Sequence, residues 1–321
     1  MKYSINILII RVMEKYGASI IRLSQNLYIK IPGGGVVEIG GGNGILNLEY
    51  NKHYPLRDWL IVEPSNIKPI DGVKAEYIKE MWDENFDASR ISSKYSVIVH
   101  SHVLEHLLNI NSFLEKIWKR LDFRQKMIFS VPNLKETLKR CYTNALNFEH
   151  TYMITDDYIE ALLEKYGFNI VDKKYFREEH SIFYAAEKVR GISNAIHIDV
   201  ESLYKENLNI LQNFITYHQK FIYEVNEKIG NASEKVYLFG AHIFSQYLIS
   251  FGLNTSRICG ILDNDKLKQG KRLYGTDLMV YSPQILKKEK SPIVILKVAS
   301  YAEEIKEDIL NNINKQTVFV E

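Results

Sequence analysis

The sequence predicts an α/β protein of two units, each a sheet with helices on its faces, the second smaller than the first. Three observations carry this prediction. Over residues 1–188 short apolar runs alternate with helical patterns, as in a parallel sheet whose crossovers are helices. Residues 189–234 change to one long polar–apolar stretch in which Leu203, Leu208, Leu211, Phe214, Ile215, Phe221 and Ile222 recur near helical spacing. A second strand–helix alternation fills residues 235–321, and both units open with strand, glycine and helix. The expected boundaries are therefore a first domain over 1–188, a helical linker over 189–234 and a C-terminal domain over 235–321.

The elements follow in order. Residues 1–17 read as an amphipathic helix, since Arg11 and Glu14 interrupt the apolar run too early for a signal core or a membrane span. The strands of the first unit are expected at Val36–Ile39, Trp59–Val62, Val73–Ile78, Ser96–His100, Lys126–Val131, Asn169–Lys174 and Ser181–Glu187. Those of the second are expected at Val236–Phe239, Arg257–Leu262, Ile293–Val298 and Thr317–Val320. A helix led by Thr155 or Asp156 is expected to bury Tyr158, Leu162 and Leu163.

Composition narrows the function. The 321 residues are 46% hydrophobic and 25% charged, the balance of a folded globular chain. With 41 basic against 39 acidic residues the net charge is only +2, too even for a chain that holds nucleic acid or an anionic membrane mainly by charge. The 2 cysteines, Cys141 and Cys259, form no CxxC pair, which fits a reducing compartment and a cytoplasmic protein.

The most informative stretch is VVEIGGGNG, residues 36–44. An acidic residue, Glu38, near the end of a strand precedes Gly40, Gly42 and Gly44 at alternate positions, which suits backbone passing close to a ligand. The next strand, WLIVEP, ends in Glu63, where a carboxylate accepts hydrogen bonds from both hydroxyls of a ribose. A dinucleotide turn needs glycine at its sixth position to bring a helix N-terminus to the pyrophosphate, and Ile45 stands there. Glu38 would repel a pyrophosphate and tolerate a sulfonium or an amino group. The spacing and charge therefore favour S-adenosylmethionine over a nicotinamide dinucleotide.

EIGGGNG with IVEP, the segment YSVIVHSHVLEHLLN at 95–109 and MIFSVPN at 127–133 resemble, in order, the motifs of class I S-adenosylmethionine-dependent methyltransferases. The resemblance covers roughly residues 30–188 and implies a Rossmann-like sheet with helices on both faces. By it Glu38 faces the methionine amino group, Gly40, Gly42 and Gly44 pass under the methionine portion, and Glu63 holds the ribose. The strand-four segment lines the cofactor pocket, so that His100, Ser101 and His102 approach the ligand, while Leu104, Glu105 and His106 begin the next helix, with His106 in a structural role. Asn133, in the third motif, is assigned to the acceptor side.

The stretch NFEHTYMITDD, 147–157, places Glu149, His150, Thr151 and Tyr152 just before a helix at the open edge of the sheet, either to satisfy loop backbone or to take part in chemistry. It resembles the active-site loop of sugar C-methyltransferases acting on nucleotide-linked keto-sugars, where tyrosine, histidine, glutamate and histidine occur in sequence. Glu149 and His150 match, whereas Asn147 and Phe148 replace the first two. The cysteine-rich zinc module of those enzymes is also missing, since no cysteine precedes Cys141. O-methylation is thus as compatible as C-methylation. In either reaction a base removes the acceptor's proton and the attacking atom is held in line with the methyl carbon. His150 is the expected base, Glu149 its orienting or sugar-binding partner, and His102 and His180 follow as alternatives. Tyr152 and His180 are further expected contacts of the acceptor. No metal is expected, because the histidines lack ligand spacing and pair with no cysteine.

The C-terminal unit opens with VYLFGAHIFSQ, where His242 and Ser245 replace the second and third glycines of a dinucleotide turn. Residues 235–321, including Gly240, Asp263, Lys268, Gly270, Gly275 and Pro283, resemble the C-terminal domain of the same sugar methyltransferases, which closes one side of the substrate cleft. Lys268, Lys271 and Arg272 either face a diphosphate or form a solvated basic loop. The expected activity is methyl transfer to a sugar, a nucleotide-linked sugar or a surface-glycan intermediate such as those of capsule or lipopolysaccharide, in polysaccharide biosynthesis. The alternatives are another small-molecule acceptor, or a catalytically weak cofactor-binding or scaffolding protein. Nucleic acid is not an expected partner, since the segment after the fourth strand is HSHVL rather than an Asn or Asp with two prolines and an aromatic.

Overall fold

The structure is a computed structural model that describes residues 34–54, 57–142, 146–147, 149–176, 181–189, 191–192, 198–298 and 301–321. The N-terminal helix expected over 1–17 and the site residue His180 lie outside the described residues. The chain divides into two units, residues 1–134 with 149–199 and residues 135–148 with 200–321.

The first unit holds a seven-stranded sheet of β1 (Gly35–Ile39), β2 (Trp59–Val62), β3 (Glu76–Ile78), β4 (Tyr95–Ser101), β5 (Lys126–Pro132), β6 (Phe168–Phe176) and β7 (Ser181–Lys188). Their order is β3-β2-β1-β4-β5-β7-β6. The first five strands run parallel, and β7 is antiparallel to both β5 and β6. Every residue of β1 and β2 is buried, as expected of central strands covered on both faces. Because successive side chains alternate, Val37 and Ile39 enter one core and Val36 the other.

Helices α1 (Ile45–His53), α2 (Ile110–Arg120), α3 (Leu134–Lys139) and α4 (Asp156–Lys165) follow in order. Phe113, Leu114 and Ile117 of α2 and Ile159 and Leu163 of α4 pack on Ile98 and Phe129 on one face of the sheet. Ile45 and Leu46 of α1 pack on Ile61, Val97 and Ile128 on the other. The result is the three-layered Rossmann-like fold expected. Asn109 caps α2 by accepting from the Ser112 N–H at 3.0 Å.

Two expectations change here. β3 begins at Glu76 rather than Val73, because Lys74 gives its N–H to Asn47 Oδ1 at 2.8 Å and receives the Asn47 amide on its carbonyl at 3.3 Å, so side-chain bonds replace a sheet ladder. Leu104–His106 is a 3₁₀ turn, and α2 starts only at Ile110.

The second unit carries a parallel sheet of β8 (Val236–Phe239), β9 (Ile258–Leu262), β10 (Val280–Tyr281), β11 (Ile293–Ile295) and β12 (Val318–Val320), ordered β10-β9-β8-β11-β12. The long helix expected as a linker, α5 (Val200–Gly230), belongs to this unit. Its Phe221, Val225 and Ile229 pack with Val236 and Leu238 of β8, joined by Leu248 of α6 (Ile243–Ser250). Residues Ala302–Asp308 form α7. β11 stops at Ile295, and the two-residue β10 has no counterpart in the sequence reading. Among the described residues no helix is long and apolar enough to cross a membrane.

Candidate functional site

In an open α/β sheet the ligand crevice forms at the carboxyl ends of the strands where the order reverses. Here that point lies between β1 and β4, and the glycine turn and His102 follow those two strands. Gly40, Gly42 and Gly44 all take left-handed backbone, with φ of 72°, 54° and 82°. Their reasons for lacking a Cβ differ. One on Gly40 would lie 2.8 Å from Val103, and one on Gly44 would lie 2.7 Å from Tyr77 and Val73. One on Gly41 would meet the Glu38 carboxyl carbon at 2.7 Å. A Cβ on Gly42 meets nothing within 4 Å, so there the bare backbone faces open space.

Glu38 lies beneath this turn and is 1% exposed. Its Oε2 accepts from the Trp59 indole N–H at 2.8 Å, while its Oε1 is buried with no hydrogen-bond partner. Burial pushes the carboxyl up to about 8, opposed by the Trp59 hydrogen bond and assisted by the charge of Glu63. Glu63 fixes the turn: its Oε2 accepts from Gly42 N–H at 3.0 Å and its Oε1 from Ser65 N–H at 2.9 Å. Each oxygen keeps a second lone pair for a further donor.

A second cluster lies past β4. His102 holds φ at 53°, donates its N–H to the Ser130 carbonyl at 2.9 Å and places Nδ1 3.1 Å from Glu105 Oε1. Its Nε2 is 3.5 Å from Ser181 Oγ. Glu105 is 2% exposed, and its Oε2 has no hydrogen-bond partner. Burial raises its carboxyl, but the His102 hydrogen bond and the neighbouring histidines outweigh this and hold it below the usual carboxylate range.

Main-chain bonds carry the His150 loop to this carboxylate. Thr151 and Tyr152 both give their N–H to the Glu105 carbonyl, at 2.7 and 3.2 Å, and the Tyr152 hydroxyl donates to the Leu108 carbonyl at 3.1 Å. His106 Nδ1 lies 2.9 Å from the Glu149 carbonyl, which makes Nδ1 the protonated nitrogen and leaves Nε2 with its lone pair. The rings of His106 and His150 meet edge to face, centroids 4.9 Å apart. Burial pulls His150 down to about 4, against the pull of Glu105, with His106 and His102 adding to the fall, so its imidazole is neutral. One ligand atom from each of Glu105, His106 and His150 lies within 4.8 Å of the others.

The expected residues thus sort into two adjoining groups. Glu38, Gly40, Gly42, Gly44 and Glu63 surround the turn, while His102, Glu149, His150 and Tyr152 surround Glu105. His100 joins neither. Its ring is 1% exposed, stacks on Phe129 at 4.9 Å and meets Phe113 edge-on at 5.3 Å, and burial takes it down to about 3. Ser101 Oγ is bonded to Ser130 Oγ at 2.7 Å, and Asn133 is buried beyond β5. Glu149 meets His106 through its carbonyl. Sequence reasoning missed Glu105 and gave His106 only a packing role. The available signal was HVLEH, two imidazoles and a carboxylate within five residues just past the carboxyl end of a strand. Ligand spacing along the chain did not show the His150 partner, because tertiary main-chain bonds deliver it.

Residues 10–173, just over half of the chain, match the methyltransferase domain family, and the chain belongs to it. No curated protein matches the sequence. Among solved structures, the chain is similar to magnesium protoporphyrin IX methyltransferase from Synechocystis PCC 6803 with bound S-adenosylhomocysteine, at 15% identity over 54% of this chain and 83% of that one, TM-score 0.41. It is also similar to 1,6-didemethyltoxoflavin-N1-methyltransferase of Burkholderia thailandensis with its acceptor and S-adenosylhomocysteine, at 14% identity over 56% and 82%, TM-score 0.42. A third is an S-adenosylmethionine-dependent methyltransferase from Clostridium acetobutylicum, at 12% identity over 55% and 92%, TM-score 0.41.

Proposed function

We propose that the chain uses S-adenosylmethionine to methylate a hydroxyl or an acidic carbon of a sugar, a nucleotide-linked sugar or a surface-glycan intermediate. The observation that carries the donor assignment is the unpaired, buried Oε1 of Glu38 under a turn whose Gly42 faces open space. A buried carboxyl oxygen without a partner is costly, and an ammonium group of the donor satisfies it and favours the ionised form of Glu38. Glu63 offers its remaining lone pairs to the ribose hydroxyls, and the Gly42 main chain lets the donor lie close. When bound, S-adenosylmethionine supplies an electrophilic methyl group on a positively charged sulfur.

What the protein adds is proton removal and alignment. The geometry favours His102 over His150 as the base. His102 has its Nδ1 on a buried carboxylate, which orients the ring and stabilises the imidazolium formed when Nε2 takes a proton. The sugar acceptor is supported by the resemblance of the Glu149–His150 loop and of residues 235–321 to sugar methyltransferases, and by Tyr152 at the edge of the same cluster.

His102→Asn tests this reading. Asparagine tolerates the left-handed backbone at this position but cannot accept the proton. Turnover against a panel of nucleotide-linked sugars falls by roughly 10²-fold or more while donor affinity measured by calorimetry stays within about threefold. A variant that retains full turnover overturns the assignment of the base. A wild-type chain that binds no S-adenosylmethionine overturns the donor.

A further inference from the structure

We propose that Glu105, His106 and His150 form a binding site for one first-row divalent cation, Zn²⁺ being the natural occupant. Two imidazoles and one carboxylate are the donor set of catalytic zinc sites, which keep a position open for a substrate oxygen.

The arrangement around the three side chains supports this independently of their proximity. Glu105 Oε2 is a buried carboxylate oxygen without a partner inside the cluster, a group that needs a donor or a cation. The outer contacts are those of a ligand set. His106 has Nδ1 on the Glu149 carbonyl at 2.9 Å, which turns its Nε2 lone pair outward as a ligand, and Glu105 has its other oxygen on His102 at 3.1 Å. His150 is held in place from both sides, by the Glu149 carbonyl contact and by the Thr151 and Tyr152 amides on Glu105. Metal–ligand bonds of about 2.1 Å require the three atoms to draw closer than their 4.8 Å envelope, a movement that small side-chain rotations supply.

The use of such a cation rests on the methyltransferase reading. Held by Glu105, His106 and His150, such a cation would make a hydroxyl at its open position more acidic, and His102 would take up the proton released from the O–H bond. Binding of the cation itself does not depend on that reading.

The test uses the full chain, stripped with a chelator and titrated with Zn²⁺ by calorimetry and with Co²⁺ by visible absorption. Expected are one equivalent of Zn²⁺ and the ligand-field bands of four- or five-coordinate cobalt, with affinity lost by roughly 100-fold or more in His106→Ala and in His150→Ala. Circular dichroism and S-adenosylmethionine affinity check that each variant is folded. No stoichiometric uptake by the wild type, or uptake unchanged in both folded variants, overturns the proposal. Full turnover by the stripped chain overturns the use of the cation in the reaction. A chain that takes up Zn²⁺ through these residues yet binds no S-adenosylmethionine upholds the cation site and rejects the methyltransferase reading instead.

Discussion

Glu38 is a single side chain on which the fold and the proposed donor site both depend. Its folded-state value of about 8 lies above the ordinary 4.5, so the native state keeps a proton that the unfolded chain releases. The sign follows by linkage: this contribution to stability is complete below about 4.5 and declines as pH rises toward 8. In the absence of donor, the stability difference between wild type and Glu38→Gln should change across pH 5 to 8, with a limiting slope of about 1.4 kcal/mol per pH unit. Urea titrations at several pH values measure it, and parallel curves for the two proteins would show that Glu38 is ionised throughout. At the same scale His102 carries a left-handed backbone at a site where glycine would be easiest, a strain that fits a residue retained for its imidazole.

At the scale of the element, the turn after β1 divides its glycines between those whose Cβ would clash and Gly42, which faces open space. Gly44→Ala drives a Cβ into Tyr77 and Val73 as well as straining φ, so it should lower stability by roughly 2–3 kcal/mol. Gly42→Ala carries only the strain, about 1–2 kcal/mol, but places a methyl group where the donor would lie, and its main effect should be a loss of S-adenosylmethionine affinity of tenfold or more. Thermal unfolding and calorimetry on the two variants separate these effects, and equal losses of affinity would remove the distinction. This turn was legible because glycine at alternate positions after an apolar strand has few other uses. The buried strands were legible as well, since WLIV is apolar throughout and VVEI is apolar but for Glu38, the composition of interior strands. The antiparallel entry of β7 was not, since its run of Ile182, Phe183 and Tyr184 would suit either direction. The Glu105 cluster was least visible, because the bonds that deliver His150 are donated by the main chain of Thr151 and Tyr152, and backbone amides leave no trace in residue identity.

For the whole molecule, donor binding should be visible as a change in thermal stability. A donor that contacts only residues of the first unit stabilises that unit by mass action, about 2.7 kcal/mol at a hundredfold excess over its Kd. Scanning calorimetry should therefore show S-adenosylhomocysteine raising the midpoint of the transition that belongs to the first sheet. Glu63→Ala should reduce that shift, because the carboxylate that bonds Gly42 and is proposed to hold the ribose is gone. A midpoint that does not respond to the ligand would exclude this pocket as its site.

The chain passes between its two units three times, after residues 134, 148 and 199. Neither unit is therefore a contiguous stretch of the polypeptide. Truncation at residue 199 would leave residues 135–148 behind without the rest of their unit, so such a fragment is no clean test of what the first unit does alone. Anyone wishing to transplant the second unit between relatives must move two inserts across three junctions, and simple end-to-end fusion cannot trade these halves like beads on a string.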